Sequence, residues 1–190
     1  MNPQPQPQLV GPERILFATA LEITSAMQDS LERRRIMPAL ILMYSGIDIL
    51  GALLRPHHEC EDAQKHFVQW ASCYMLKRRR LLITADDLWG ARCGLLHTNR
   101  ATSRHSKKGK AKELCYVLGF AKLPIALKQE LQSQADGKVL TDVEELCESF
   151  VCGVVEFGNS LEHDLSLKAL VLRNASQMLA QTSNLIPKEK

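Results

Sequence analysis

Residues 39–54, ALILMYSGIDILGALL, are apolar on nearly every side of a helix and carry a single charge, Asp48. Such a helix is stable in water only when other elements surround it, so the pattern predicts a central buried helix. Pro38 opens it and Arg55-Pro56 ends it. With an acid inside, the run does not read as a membrane span, and no stretch reaches the roughly eighteen apolar residues that spanning needs. A carboxylate on this helix is costly unless a cation or backbone donors meet it. Arg92 or His97 is the preferred partner, weighed evenly against a purely structural hydrogen bond.

The rest of the chain reads as further helices. Residues 1–10 alternate Pro and Gln, as in a disordered or extended tail. From Pro12 to about Arg35, apolar residues recur at helical spacing, and Arg33, Arg34 and Arg35 suit the negative end of that helix. Residues 59–75 form a third helix, whose Ala63, Phe67, Trp70, Ala71 and Tyr74 read as core rather than as a base-stacking surface. Residues 113–120 are open between a strand and a helical turn. A short helix follows over 124–135, stopped by Asp136-Gly137. Thr141-Asp142-Val143-Glu144 reads as a capping box that starts a helix, with Gly158-Asn159 able to bend or interrupt it before the pattern resumes over 161–179. The expectation is one all-α domain over 11–182, a helical bundle around the buried helix, between a Pro/Gln tail at 1–10 and a flexible tail at 183–190.

Chemistry points to residues 84–112. Thr84 and Asp87 form a Thr-x-x-Asp box, with Asp86 and Asp87 at the positive end of the helix dipole. The helix that follows ends in ARCGLLHTN, with Arg92 and His97 five positions apart. At 100° per residue they stand about 140° apart, so they share no face of a straight helix. Fraying at His97, or a second subunit, would bring them together. A His that titrates near neutrality can exchange a proton with a ribose hydroxyl or a leaving oxygen, and an Arg offers phosphate a rigid fork of donors. That chemistry needs no metal.

Charge is concentrated beside this pair. Residues 77–112 hold eleven Lys or Arg against two Asp, a local +9 in a chain of net +3. Arg100, Arg104, Lys107, Lys108 and Lys110 are candidate RNA or phosphate contacts, against the plainer reading of a solvated loop. No aromatic residue lies between Arg100 and Lys112, so base stacking has no platform there.

With LILMYSGIDIL, FVQW, DLWGARCGLLHT and KGKAKELCYVLG, the chain resembles the HEPN superfamily, and most closely its short prokaryotic members. The resemblance covers roughly residues 39–119 and rests on the Arg-x4-His motif RCGLLH. It implies an all-α HEPN-like bundle, a homodimer with two motifs facing across the interface, and metal-independent RNA cleavage by Arg92 and His97; Asp48, as the carboxylate expected to pair with one of them, joins the candidate catalytic residues on the reading of the buried helix. It also implies a toxin-like role in defence or stress response, with an antitoxin-type protein as a further partner, or alternatively a non-catalytic module that binds RNA, nucleotide or protein. Cys93 and Asn99 stand where active or toxin-type members often carry a polar residue and a Tyr.

No cofactor is implied. There is no phosphate-binding Gly-rich loop, and no Ser/His/Asp arrangement that sequence alone would support. Six cysteines without a CxxC pair, and an N-terminus lacking the basic start and apolar core of a signal peptide, predict reduced thiols in a cytoplasmic protein. His57, His58, Cys60 and His66 match no usual zinc spacing, so no metal site is expected.

Overall fold

The computed structural model describes residues 11–56, 62–77, 81–98, 106 and 108–179, without the side chains of His97, Thr98, Met178 and Leu179. The two tails expected at 1–10 and 183–190 lie outside the described residues.

Helix α1 (Pro12–Glu32) buries Leu16, Ala20, Thr24 and Met27, a stripe at three- and four-residue spacing. It stops before the arginines expected to close it, because Arg34 takes the left-handed conformation (φ 54°) and reverses the chain. Helix α2 (Ile36–Ala52) then starts two residues before Pro38 and buries Ala39, Leu40, Met43, Tyr44, Gly46, Ile47, Leu50 and Gly51. It is the central helix, packed against α1 and against the helices that begin at Ala63, Ala85 and Val143. Its glycines let other chain segments come close. A Cβ on Gly51 would stand 2.9 Å from the His66 carbonyl oxygen, and one on Gly46 would run into the Phe150 ring.

Helix α3 (Ala63–Trp70) starts at an Asp62 N-cap, whose carboxylate accepts the Lys65 N–H at 2.9 Å. It widens into a π-helical turn over Ala71–Met75. At that turn a Cβ on Gly153 would stand 2.9 Å from the Met75 Cα. The aromatic stripe is core: Phe67 and Trp70 are buried, and Trp70 meets the rings of Tyr74, Phe150 and Phe157 at 5.8, 5.7 and 6.3 Å. Helix α4 (Ala85–Thr98) carries the Arg and His of the motif.

Residues 113–120 resolve into strand β1 (Leu114–Val117) and the start of a 3-10 turn (Phe120–Lys122). After helix α5 (Ile125–Ser133), strand β2 (Val139–Asp142) pairs parallel with β1, Leu114 opposite Val139 and Val117 opposite Asp142. Among the described residues the fold is therefore mostly helical with one small sheet. That sheet also corrects the second capping box. Thr141 belongs to β2, and Asp142 is the N-cap of helix α6 (Val143–His163), accepting the Glu145 N–H at 3.0 Å. The same carboxylate takes the Ala121 N–H at 2.6 Å and so holds the 3-10 turn. Helix α6 runs unbroken through Gly158-Asn159, where the absent side chain admits the Phe17 ring of α1. The interruption comes at Asp164, whose carboxylate caps helix α7 (Leu165–Leu179) through the Leu167 N–H at 2.9 Å. No described helix is long and apolar enough to cross a membrane.

Gly51→Ala and Gly153→Ala each press a methyl group onto backbone that cannot turn aside. Each should lower stability by about 1–3 kcal/mol. In urea unfolding this reads as a fall in the midpoint at an unchanged m-value.

Candidate functional site

Helix α4 starts as its sequence dictates. The Asp87 N–H donates to Thr84 Oγ1 at 3.2 Å, and the Thr84 N–H donates back to Asp87 Oδ2 at 2.8 Å. The other oxygen of Asp87, a buried residue, accepts the Lys112 N–H at 2.6 Å. The basic segment thus leaves α4 at its C-terminal end and returns to its N-terminal end. For a helix of 14 residues these points lie about 21 Å apart.

Ala85, Leu88, Trp89 and Ala91 are buried. Arg92, on the margin of that buried face, crosses to α2, where its Nε and Nη2 both lie 2.8 Å from Asp48 Oδ2. The side chains are 20% and 25% exposed, so the pair sits at the edge of the core rather than inside it. The Trp89 ring, one turn before Arg92 on the same helix, lies 5.0 Å beneath the guanidinium carbon. Trp89 in turn packs edge-on against Phe67 at 5.3 Å. One carboxylate and one indole therefore fix where the charge of Arg92 stands. Burial pushes the neighbouring Cys93 thiol up, and Arg92 pulls it part of the way back. Cys93 is consequently a poor nucleophile at neutral pH.

His97 lies in the last turn of α4, and its side chain is outside the described part. The backbone is α-helical through Thr98, so the directions of Arg92 and His97 stay about 140° apart. Of the candidate phosphate contacts, Lys108 and Lys110 are exposed, and Arg100, Arg104 and Lys107 fall outside the described residues. So do His57, His58 and Cys60, whereas His66 is 2% exposed on α3. Among the described residues no group of three or more His, Cys, Asp or Glu is placed to hold a metal.

The sequence singled out Arg92 and Asp48 but gave no weight to Trp89 in this role. Its three-residue spacing from Arg92 was the available signal. A second junction went unread: the hydroxyls of Tyr44 on α2 and Tyr116 on β1 meet at 2.5 Å, tying the strand after the basic segment to the central helix. Burial raises both phenols well above their ordinary range, and with the Asp142 charge it pushes the nearby Cys147 thiol up to about 12.

Comparison of the chain with protein-family models, with curated proteins and with solved structures gives no match.

Two outcomes follow from these junctions. Tyr44, Tyr116 and Cys147 are held neutral in the folded chain but lose protons near their ordinary values once unfolded, so their contribution is complete below the ordinary thiol value of 9.0. Melting temperature should be insensitive to these groups from about pH 7 to 9 and fall as pH rises further. Asp87→Ala removes acceptors from the Thr84 and Lys112 amides, at a cost of about 1–2 kcal/mol. Hydrogen exchange at Lys112 should accelerate by more than the global loss of stability accounts for.

Proposed function

We propose that this chain is a HEPN-like RNA-processing protein that cleaves RNA without a metal, using Arg92 and His97 at a site completed by a second copy. The observation that carries this reading is the fixed position of Arg92: paired to Asp48 at 2.8 Å, stacked on Trp89 and still 20% exposed, on the helix that bears His97. A cation held in advance at a phosphate stabilises developing charge without reorganising during the reaction. The ribose 2′-hydroxyl attacks the adjacent phosphorus as the bond to the 5′-oxygen of the next nucleotide breaks. His97 moves the proton from the attacking hydroxyl to the leaving oxygen, with Arg92 steadying the charge on the phosphate. The products are a 2′,3′-cyclic phosphate and a 5′-hydroxyl.

The 140° separation supports the composite form of the site, because an α4 from each chain near a two-fold axis lets Arg92 of one copy face His97 of the other. Lys108 and Lys110, which are exposed, are the phosphate contacts this reading expects, with Arg100, Arg104 and Lys107 as further candidates from the sequence. A role in defence or stress response, with an antitoxin-type partner, belongs to the same reading by analogy with the family it resembles.

A second reading draws on the same ion pair. Arg92 is already engaged by Asp48, as it would be in a structural network of a non-catalytic HEPN-like module that binds RNA, nucleotide or protein. Cys93 and Asn99 favour this second reading.

Mixed RNA in excess EDTA separates the two. The wild type should cleave it, leaving 2′,3′-cyclic phosphate ends, and Arg92→Ala and His97→Ala should each lose at least about a hundredfold in rate, the low end for a removed acid–base or oxyanion group. Both variants must melt cooperatively and keep the wild-type oligomeric state. A wild type that leaves RNA intact, with variants that unfold or dissociate, would assign the pair to structure and the chain to the binding module.

A further inference from the structure

Helices α1 and α6 pack against each other along a seam whose outer side is apolar. The Phe17 ring lies at the bare backbone of Gly158, 3.4 Å from where a Cβ would stand, and further along both helices Ile23 and Phe150 close over Gly46 of α2. The two helices therefore run antiparallel, α1 going from 17 to 23 as α6 goes from 158 to 150. Leu21 shares the face of Phe17 at four-residue spacing, and Val155 shares that of Gly158 at three. Each thus lies one turn on from the crossing, in the same direction along the seam. Phe17 is exposed, and Leu21 and Val155 keep 66% and 56% of their surface in water. Single exposed apolar side chains are ordinary, but neighbours on two adjoining helices form a strip of the kind that meets another molecule.

Charge selects that molecule. Together α1 and α6 hold nine Asp or Glu against one Arg, Arg14, a net −8 in a chain of net +3. Arg33, Lys122 and Lys168 from outside the two helices answer Asp29, Glu144 and Glu13, and the balance is still −5. The acids flank the strip. Glu22 follows Leu21, and Glu148 and Glu162 stand seven residues either side of Val155, on one face of α6; all three are exposed. The basic segment of a second copy does not fit here, because between Asn99 and Lys112 its only apolar side chains are those of two alanines. A groove between two antiparallel helices is linear, and the element that matches it is a third helix with an apolar stripe.

We propose that the α1–α6 seam binds a basic amphipathic helix of a partner protein, its apolar side chains laid on Phe17, Leu21 and Val155 and its Lys or Arg flanks facing Glu22, Glu148 and Glu162. Burial of the strip supplies affinity, and the acidic flanks orient the partner and reject acidic helices. Arg92, His97 and Asp48 lie on α4 and α2, so this surface is separate from the site of the RNA reading.

The test follows binding of labelled synthetic peptides of about 18 residues, five helical turns, to the full-length protein by fluorescence anisotropy. One peptide carries Leu at helical spacing with Lys on both flanks. A second has Glu in place of every Lys, and a third keeps Lys but has Ser in place of every Leu. The Leu/Lys peptide should bind at least about tenfold more tightly than either control, because only it offers both burial and charge. Leu21→Gln combined with Val155→Gln changes exposed positions to a residue that suits a helix, so melting should stay cooperative while that affinity falls at least about tenfold. Equal binding of the Lys and Glu peptides, binding that the double substitution leaves intact, or no binding at all overturns the proposal. So does self-association of the wild type that the double substitution abolishes in sedimentation, since the seam is then a contact between copies. The cleavage assay on RNA is independent of each of these outcomes.

Discussion

The arrangement of this protein follows from one carboxylate on an otherwise apolar helix. Asp48 is the only charged residue among the 17 of α2, and α2 is the element around which the others pack. A charge there must be answered, and the answer comes from α4, 44 residues further along the chain. An ion pair exposed to this degree adds little net stability. Its consequence is positional: Arg92 reaches Oδ2 only when α4 lies against α2 in one rotation, and that rotation seats Trp89 between Phe67 and the guanidinium. The pair that orients the helices is thus also the group exposed at their margin.

Two further carboxylates act across the chain in a similar way. Asp87 and Asp142 are both buried, both cap a helix, and each takes a backbone N–H from a distant segment, Lys112 in one case and Ala121 in the other. An acid at a helix N-terminus is favoured by the helix dipole, so each capped end becomes a fixed point to which a loop is fastened. Between those points lie β1 and the Tyr44–Tyr116 contact. The chain after the basic segment is therefore held at Lys112, Tyr116 and Ala121, to α4, α2 and the start of α6.

What the sequence made legible is local or forced. The burial of α2, the Thr84–Asp87 box and the core role of Phe67 and Trp70 follow from spacing within a few turns, and Asp48 on an apolar helix calls for a partner, for which Arg92 and His97 are the two candidates the motif offers. What it hid is non-local. Strands β1 and β2 are four residues each and pair across a helix, so neither carries enough alternation to announce itself. Asp142 looked like the second residue of a capping box because nothing local says that Thr141 is committed to a strand. The left-handed Arg34 that ends α1 early, and the π-helical turn after Trp70, have no local signal in the sequence.

The helix that displays the motif also limits what the motif can do. Arg92 and His97 are five residues apart on a backbone that stays α-helical to Thr98, which separates them by about 7.5 Å along the axis and 140° around it. Positions so far apart around a helix share no face of it. Releasing Arg92 would strand Asp48 beside an apolar surface, so rotation of the arginine is the costly solution. If the proposed cleavage takes place, a histidine from a second copy would leave the contact of Arg92 with Asp48 in place.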